Sequence, residues 1–288
     1  MNSSEVRAPR LPVYCGFLPA MAYNASTPDR FPVDNSLCEA CGYPLRGLRP
    51  EWNCPECGQP VVASHPRHRP GLAWQQQPSW RNFARTWWRV IRRPRESFRK
   101  LAVGSDLWVR DRATRFLSLN ALLAALLLSV IILVFSRTYW SAGVLTSGLQ
   151  VMVTYFVLFT LTGVEVLGVV YFSRRRRWRI SRAMASEVAG YASAGWLPAS
   201  LIWGLGGSLV FRATVSTART GRLLLGIYPL RYLLLFVVFF LGLLCFELLV
   251  YIGVRQVRYA NSPCPNTPNS PWVVPPGRET PGSQDSET

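Results

Sequence analysis

Four long apolar stretches constrain this 288-residue chain more than any other feature of its sequence. They are residues 116–135, 149–172, 188–211 and 232–252. Each is close to the roughly 20 residues that a helix needs to cross about 30 Å of hydrocarbon. Within lipid, only helices and closed barrels satisfy their own backbone hydrogen bonds. The pattern therefore predicts an all-α polytopic membrane bundle of about four transmembrane helices over residues 116–258.

The third stretch is not a uniform apolar helix. Pro198 interrupts it, and so do three glycines further along, Gly204, Gly206 and Gly207. Helices in lipid tolerate such residues when neighbouring groups satisfy the freed backbone. Small side chains also cluster here, and small residues let a second helix approach closely. We expect such an approach at Ala192, Ser193, Gly195, Ala199 and Ser200.

Ahead of these stretches, two Cys-x-x-Cys pairs flank a short spacer. The cysteines are Cys38, Cys41, Cys54 and Cys57. Four thiolates at this spacing are the usual ligands of a structural Zn²⁺ ion and leave no coordination position open. Residues 37–60 are too few to bury a sufficient core, so a bound metal is expected to stabilise them. The sequence thus predicts a small N-terminal zinc ribbon with structural Zn²⁺ as its cofactor.

Several neighbouring residues refine this interpretation. Gly42 and Gly58 each follow the second cysteine of a pair, where a turn toward the sulfurs often needs positive φ. Iron in a rubredoxin-like site is the alternative, because four sulfurs suit both metals. His65 and His68 lie in a Pro-rich segment and are interpreted as bystanders, since four cysteines already complete the tetrahedron. Thiolates kept for metal need a reducing compartment, which favours the cytosolic side of a membrane.

The cysteine motif also carries a family resemblance. The string Cys38-Glu-Ala-Cys41-Gly-Tyr-Pro-Leu-Arg-Gly-Leu is followed by Cys54-Pro-Glu-Cys57-Gly. It resembles the N-terminal ribbon of a group of uncharacterised bacterial membrane proteins. In that group the ribbon precedes a multi-helix membrane region. The resemblance implies this architecture and no particular activity.

Three further segments have the composition of connecting or terminal chain. Residues 1–36 are rich in Pro, Ser and Asn and are expected to form a disordered arm. Residues 61–79 contain three prolines and a Gln run and are expected to form a flexible linker. Residues 259–288 are rich in Pro, Ser, Asn and Gly and are expected to form a disordered tail.

Residues 80–115 combine aromatic and basic side chains at helical spacing. One face carries Trp80, Phe83, Trp87 and Ile91, and another carries Arg81, Arg85, Arg89 and Arg92. Trp and Arg together suit the bilayer interface, so we predict amphipathic interfacial helices. The alternative is a helix packed on the ribbon or on the bundle. The stretch from 80 to 101, with Arg-Pro-Arg-Glu-Ser-Phe, also resembles the entry to Yip1-type membrane domains.

The basic residues, which dominate a net charge of +17, are unevenly distributed around the four stretches. The positive-inside rule places the strongly basic segments in the cytosol. We therefore expect a multi-pass protein of the cell (inner) membrane with both termini cytosolic, although the basic connection between Arg212 and Arg231 conflicts mildly with this. The strongly basic set contains Arg81, Arg85, Arg89, Arg92, Arg93, Arg95, Arg99, Lys100, Arg110, Arg112, Arg115, Arg174, Arg175, Arg176, Arg177, Arg179, Arg182, Arg255 and Arg258.

Two carboxylates lie inside the predicted spans. A carboxylate there is energetically costly and marks a candidate functional site. Glu165 and Glu247 lie at similar distances ahead of Arg174 and Arg255, and Glu187 opens the third span near the same side. They are a candidate polar site for a proton or a cation. The alternative, which we favour, is that each carboxyl is protonated or paired and holds the bundle together.

No catalytic motif accompanies these features. The sequence contains no Walker A loop, dinucleotide fingerprint, His-Glu-x-x-His or Gly-x-Ser-x-Gly elbow. We therefore interpret the chain as a non-enzyme with an interaction, scaffold or membrane-organisation role. Its expected partners are membrane lipids with anionic headgroups and a cytosolic protein. The alternatives are a small transporter or channel using Glu165 and Glu247, or a membrane-tethered binder of lipid headgroups or nucleic acid, of which nucleic acid is the less favoured partner.

Overall fold

A computed structural model describes residues 36–64, 69–104, 107–135, 143–176, 178–219 and 224–261. All of them belong to one compact unit, which extends from Val33 to Pro263. The predicted arm up to residue 35, the tail from residue 262, and His65 and His68 lie outside the described residues.

The described part of the chain is built of helices, which confirms the predicted all-α class. Two isolated bridges, Leu37 with Pro44 and Asn53 with Pro60, join extended chain near the cysteines. Short 3₁₀ turns occupy Val61–Ser64 and Ser193–Gly195. The α-helices are α1 (Ala73–Gln76), α2 (Trp80–Arg92), α3 (Pro94–Lys100), α4 (Leu107–Phe135), α5 (Gly143–Arg175), α6 (Arg182–Ala192), α7 (Trp196–Arg219) and α8 (Leu224–Val257).

Four of these helical segments are long and apolar enough to cross a membrane, as predicted. They are Val109–Phe135, Ser147–Arg175, Arg182–Ala213 and Leu230–Val257. Each extends beyond the predicted apolar stretch, because helical hydrogen bonding continues into polar residues after the hydrocarbon-length run ends. Residues 107–115, expected to belong to the interfacial region, are therefore the first turns of α4.

The third span is broken, but not where the sequence suggested. The break is the 3₁₀ turn Ser193–Gly195, which precedes Pro198. Pro198 lies in the first turn of α7, where its missing N–H leaves no helical hydrogen bond unmade. The three glycines further along remain helical. Proline and glycine at these positions are therefore compatible with a continuous α7.

Small residues around the break allow the close approach that the sequence predicted. Ala192, Ser193, Ala199 and Ser200 are fully buried. A Cβ added to Gly195 would lie only 2.8 Å from the backbone oxygen of Cys245 on α8. Backbone therefore meets backbone at this point, and a larger side chain would force the helices apart.

A tryptophan at the start of α7 contacts both α5 and α8. The indole of Trp196, at the start of α7, is fully buried and stacks on Phe246 of α8 with ring centroids 4.2 Å apart. Its Nε1–H donates to the hydroxyl of Thr162 on α5 over 3.1 Å. Because the indole N–H has this acceptor, its burial in the apolar interior leaves no unpaired donor.

Helix α2 uses one face to pack on the bundle, as the alternative interpretation expected. Phe83 and Val90 are buried, and the Phe83 ring lies 5.0 Å from that of Phe116 on α4. The Trp87 indole donates to the backbone oxygen of Ala194 over 3.0 Å. Trp80 and Trp88 remain exposed, together with the arginines of this helix.

Candidate metal centre

The four cysteines predicted to bind metal come together in the structure. Their sulfurs all lie within 4.8 Å of one another, and none forms a disulfide. Cys38 Sγ is 3.5 Å from Cys57 Sγ, and Cys41 Sγ is 3.6 Å from Cys54 Sγ. A tetrahedral ion with sulfur ligands at about 2.3 Å requires sulfur–sulfur separations of about 3.8 Å. The donor set and its spacing therefore fit a metal ion.

Two turns of the same design present the sulfurs. Gly42 N–H donates to the Cys38 oxygen and Gly58 N–H donates to the Cys54 oxygen, each over 2.8 Å. Gly42 has φ of 82° and Gly58 has φ of 71°, as the sequence predicted. Positive φ is costly for residues with a Cβ, so glycine suits both turns. The repeated geometry supplies two sulfurs from each turn.

Two thiols of the cluster, those of Cys38 and Cys41, have pKa values shifted in opposite directions. Burial raises the pKa of the Cys38 thiol, but the backbone N–H groups of Cys41 and Ala40 and the neighbouring thiols lower that pKa overall, to about 7. Burial raises the pKa of Cys41 to about 12, and the neighbouring thiols add to the rise. Adjacent like charges disfavour one another, so four thiolates together require a compensating cation.

We call residues 37–64 the cysteine module; its first connection to the helices is made by Asn261, which follows α8. The side chain of Asn261 accepts a hydrogen bond from Leu37 N–H over 3.0 Å. Its Nδ2 donates to the backbone oxygens of Leu37 and Ser64, each over 2.8 Å. One amide therefore pairs with both polar backbone groups of Leu37, as a neighbouring strand would.

A buried ion pair makes the second connection. Arg69 Nε lies 2.9 Å from Glu39 Oε1, and Arg69 Nη2 lies 3.0 Å from Glu39 Oε2. The same guanidinium donates to the backbone oxygens of Phe98 on α3, over 3.3 Å, and Gln256 on α8, over 2.8 Å. Arg69 is only 4% exposed, and a buried charge is costly unless it is paired. Here the charge is compensated by partners on three segments.

The third connection is a tyrosine against a turn. A Cβ on Gly42 would lie 2.8 Å from the ring of Tyr259, so the ring packs directly on the first cysteine turn. Arg258 stacks over that ring at 4.8 Å and donates to the Ala40 oxygen over 3.4 Å. Only a residue without a side chain allows the ring to approach so closely.

These contacts correct two expectations. Within the expected flexible linker over 61–79, Val61, Arg69, Leu72 and Trp74 are buried, because this segment fills the space between the cysteine module and α3 and α4. The expected disordered tail from residue 259 begins with residues that pack on the first cysteine turn, including Asn261. Proline-rich, polar composition is typical of flexible chain. Composition carries no information about contacts with residues that are distant in the sequence.

We use the name cysteine end for the end of the bundle that carries the cysteine module. It contains the start of α4, since the Trp74 indole donates to the Arg112 oxygen there. The end of α8 also lies there, and Arg179 N–H, in the α5–α6 connection, donates to the Arg258 oxygen. The basic residues of α3, of the start of α4, of the α5–α6 connection and of the end of α8 are therefore at this end.

Two of the three candidate glutamates are neighbours, and the third has other residues beside it. Glu165 on α5 and Glu247 on α8 are both half-buried and are neighbours across the two helices. Both lie next to residues that hold Trp196, because Thr162 is one turn from Glu165 and Phe246 precedes Glu247. Glu187 is fully buried on α6 and lies instead near Tyr191 and Arg112. The sequence did not identify this separation.

Comparisons with protein-family models, with curated proteins and with solved structures return no match to this chain.

Proposed function

We propose that this chain is an integral membrane protein in which a structural Zn²⁺ ion fastens a zinc ribbon to the cysteine end of a four-helix bundle. Its role is non-catalytic: it holds an interaction or scaffold surface at the membrane for lipids and a cytosolic protein partner. The resemblance of the ribbon to the bacterial membrane proteins described above belongs to the same proposal, as does the resemblance of residues 80–101 to the entry of Yip1-type domains.

The observation that carries this proposal is the network joining the cysteine module to the helices. Asn261 pairs with Leu37 and Ser64, while Arg69 joins Glu39 to α3 and α8. A module on a flexible tether would not need buried charge at its junction. A closed four-sulfur site leaves no coordination position for a substrate, so the metal's contribution is to folding.

The distribution of charge supports a cytosolic cysteine end. The basic segments lie at that end, as the positive-inside rule requires of cytosolic segments. At the opposite end, Arg212 donates to the Phe135 oxygen over 3.3 Å and lies 5.1 Å from the Phe135 ring centroid. Arg231 lies 5.7 Å from the ring centroid of Phe211. These arginines are engaged by the bundle itself, which accounts for basic residues on the proposed external side.

The metal is tested on the full-length protein purified in detergent. We expect about one zinc per chain by elemental analysis, and loss of most of it in Cys41→Ser. The matched control is Cys245→Ser, because Cys245 lies on α8, away from the four-cysteine cluster, and its thiol donates to the Leu241 oxygen of its own helix. If elemental analysis finds iron rather than zinc, the bound metal is iron. Wild-type protein without metal, or equal metal in both variants, would refute the proposal.

The orientation is tested separately. A membrane-impermeant thiol reagent applied to intact cells is expected to leave Cys41 and Cys57 unlabelled and to label them after lysis and chelation. Labelling from outside the cell would refute a cytosolic cysteine end while leaving the metal result unaffected.

A second candidate function is supported by the pairing of Glu165 and Glu247. Two carboxyl groups that interact beside a helix break are suited to hold a proton or a cation between helices. Proton or cation flux in proteoliposomes tests it with the double substitution E165Q/E247Q. Flux in the wild type that disappears in a well-folded double variant would support transport. Absence of flux in the wild type, with loss of folding in the variant, would instead assign the pair to packing.

A further inference from the structure

Three exposed arginines at the cysteine end each stack on an aromatic ring of their own helix. Arg92 lies 4.6 Å from the ring centroid of Trp88 on α2. Arg175 lies 5.0 Å from that of Tyr171 on α5, and Arg255 lies 5.8 Å from that of Tyr251 on α8. In each pair the arginine follows the ring by four residues, so the two side chains are neighbours on the helix surface.

The rings themselves are exposed, which an isolated soluble protein would disfavour. Trp88 is 52% exposed, Tyr171 is 53% exposed and Tyr251 is 58% exposed. Tyr171 and Tyr251 continue the apolar outer faces of α5 and α8, where Phe172 and Leu248 are also exposed. Trp and Tyr prefer the boundary between hydrocarbon and headgroups, so the three rings mark that boundary.

The three guanidinium groups have charge to offer an external partner. Elsewhere at this end, Arg69 is paired with Glu39, Lys100 with Glu96 and Arg115 with Asp111. Among the residues that the structure describes, no carboxylate forms an ion pair with Arg92, Arg175 or Arg255. Stacking on a ring occupies the face of a guanidinium and leaves its N–H edges free to bind an anion.

We propose that these three pairs form binding sites for the phosphodiester headgroups of anionic lipids in the bilayer leaflet that contacts the cysteine end. A guanidinium binds two phosphate oxygens at once, and the ring beneath it contacts the glycerol and upper acyl region. Nucleic acid presents the same phosphate chemistry, but Tyr171 and Tyr251 lie beside the apolar outer faces of α5 and α8, which in this proposal face lipid rather than solvent. The arginines at the opposite end differ, because Arg212 lies over a ring of another helix and donates to a backbone oxygen.

This inference rests on the membrane-spanning part of the proposed function and not on its metal. Zinc content is therefore an independent readout, and its loss would not imitate a loss of lipid binding. The two proposals can fail separately.

The test is native mass spectrometry of the full-length protein in detergent, titrated with phosphatidylglycerol or with phosphatidylcholine. The site variant is R92Q/R175Q/R255Q. The matched control is R85Q/R89Q/R174Q, which removes the same charge from exposed positions that have no ring contact with another described residue. Zinc content and helical circular dichroism are measured on both variants to confirm that they are folded.

We expect the site variant to weaken phosphatidylglycerol binding about tenfold or more, and the control variant to weaken it less than about threefold. Binding of phosphatidylcholine should be weak in all forms. Equal losses in both variants would show diffuse charge attraction and overturn the sites, and so would no loss in either. Soluble glycerophosphoglycerol and a single-stranded oligonucleotide are added as competitors. If either binds with the same variant dependence as phosphatidylglycerol, and more tightly, the sites are not lipid sites.

Discussion

Replacing Asn261 with alanine should weaken metal binding about a hundredfold. Its side chain makes three hydrogen bonds to the cysteine module, at 3.0, 2.8 and 2.8 Å. A net contribution of about 1 kcal/mol for each gives about 3 kcal/mol of docking free energy. If the metal-free module does not dock, the docking free energy is part of the metal-binding free energy. About 1.4 kcal/mol corresponds to a tenfold change in the dissociation constant, hence the hundredfold loss.

The assay is competition between the full-length protein in detergent and a chromogenic zinc chelator of known affinity. Asn261→Asp nearly preserves the side-chain volume but removes the Nδ2 donor. The zinc affinity of this variant should fall at least as much as the loss of the two hydrogen bonds from Nδ2 implies. The control is Asn82→Ala, because the Asn82 side chain bonds to the Gln77 oxygen, away from the cysteines. A dissociation constant for Asn261→Ala within about threefold of the wild type would show that docking and metal binding are independent.

Further predictions concern the first cysteine turn and α3. Gly42→Ala and Gly47→Ala should each lower the free energy of unfolding by about 1 kcal/mol through backbone strain, because both glycines have positive φ, 82° and 78°. Gly42→Ala must also displace the Tyr259 ring, whereas Gly47 has nothing within 4 Å, so thermal unfolding and metal retention should be impaired more in Gly42→Ala. Equal effects of the two substitutions would show that the contact between Gly42 and the Tyr259 ring does not contribute to stability. A hydrogen bond from Lys100, and its charge, lower the pKa of Glu96 below the ordinary value for Glu. The resulting stabilisation of α3 is present above the ordinary Glu pKa and is lost as the pH falls through the lowered value. Titration of Glu96 by NMR should therefore show a higher pKa in Lys100→Gln, and an unchanged pKa would contradict the pairing.

The sequence alone determined those features that depend on local pattern. The length of an apolar run decides whether a helix can cross a bilayer, so four spans could be predicted from the residues between 116 and 252. The spacing of Cys38, Cys41, Cys54 and Cys57 likewise determined the cluster, because a Cys-x-x-Cys turn brings its two sulfurs together by local geometry. The positive φ of Gly42 and Gly58 follows from the same turns.

Only the tertiary structure decided how these parts are joined. Asn261 reaches Leu37 across 224 positions of the chain, and no local pattern marks an asparagine after an apolar helix as the partner of a distant backbone. The role of Arg69 was also hidden, since its segment has the composition of a linker until Glu39, Phe98 and Gln256 surround it. Periodicity and spacing report on a residue's immediate neighbours, whereas a buried junction depends on groups that meet only after the helices have packed.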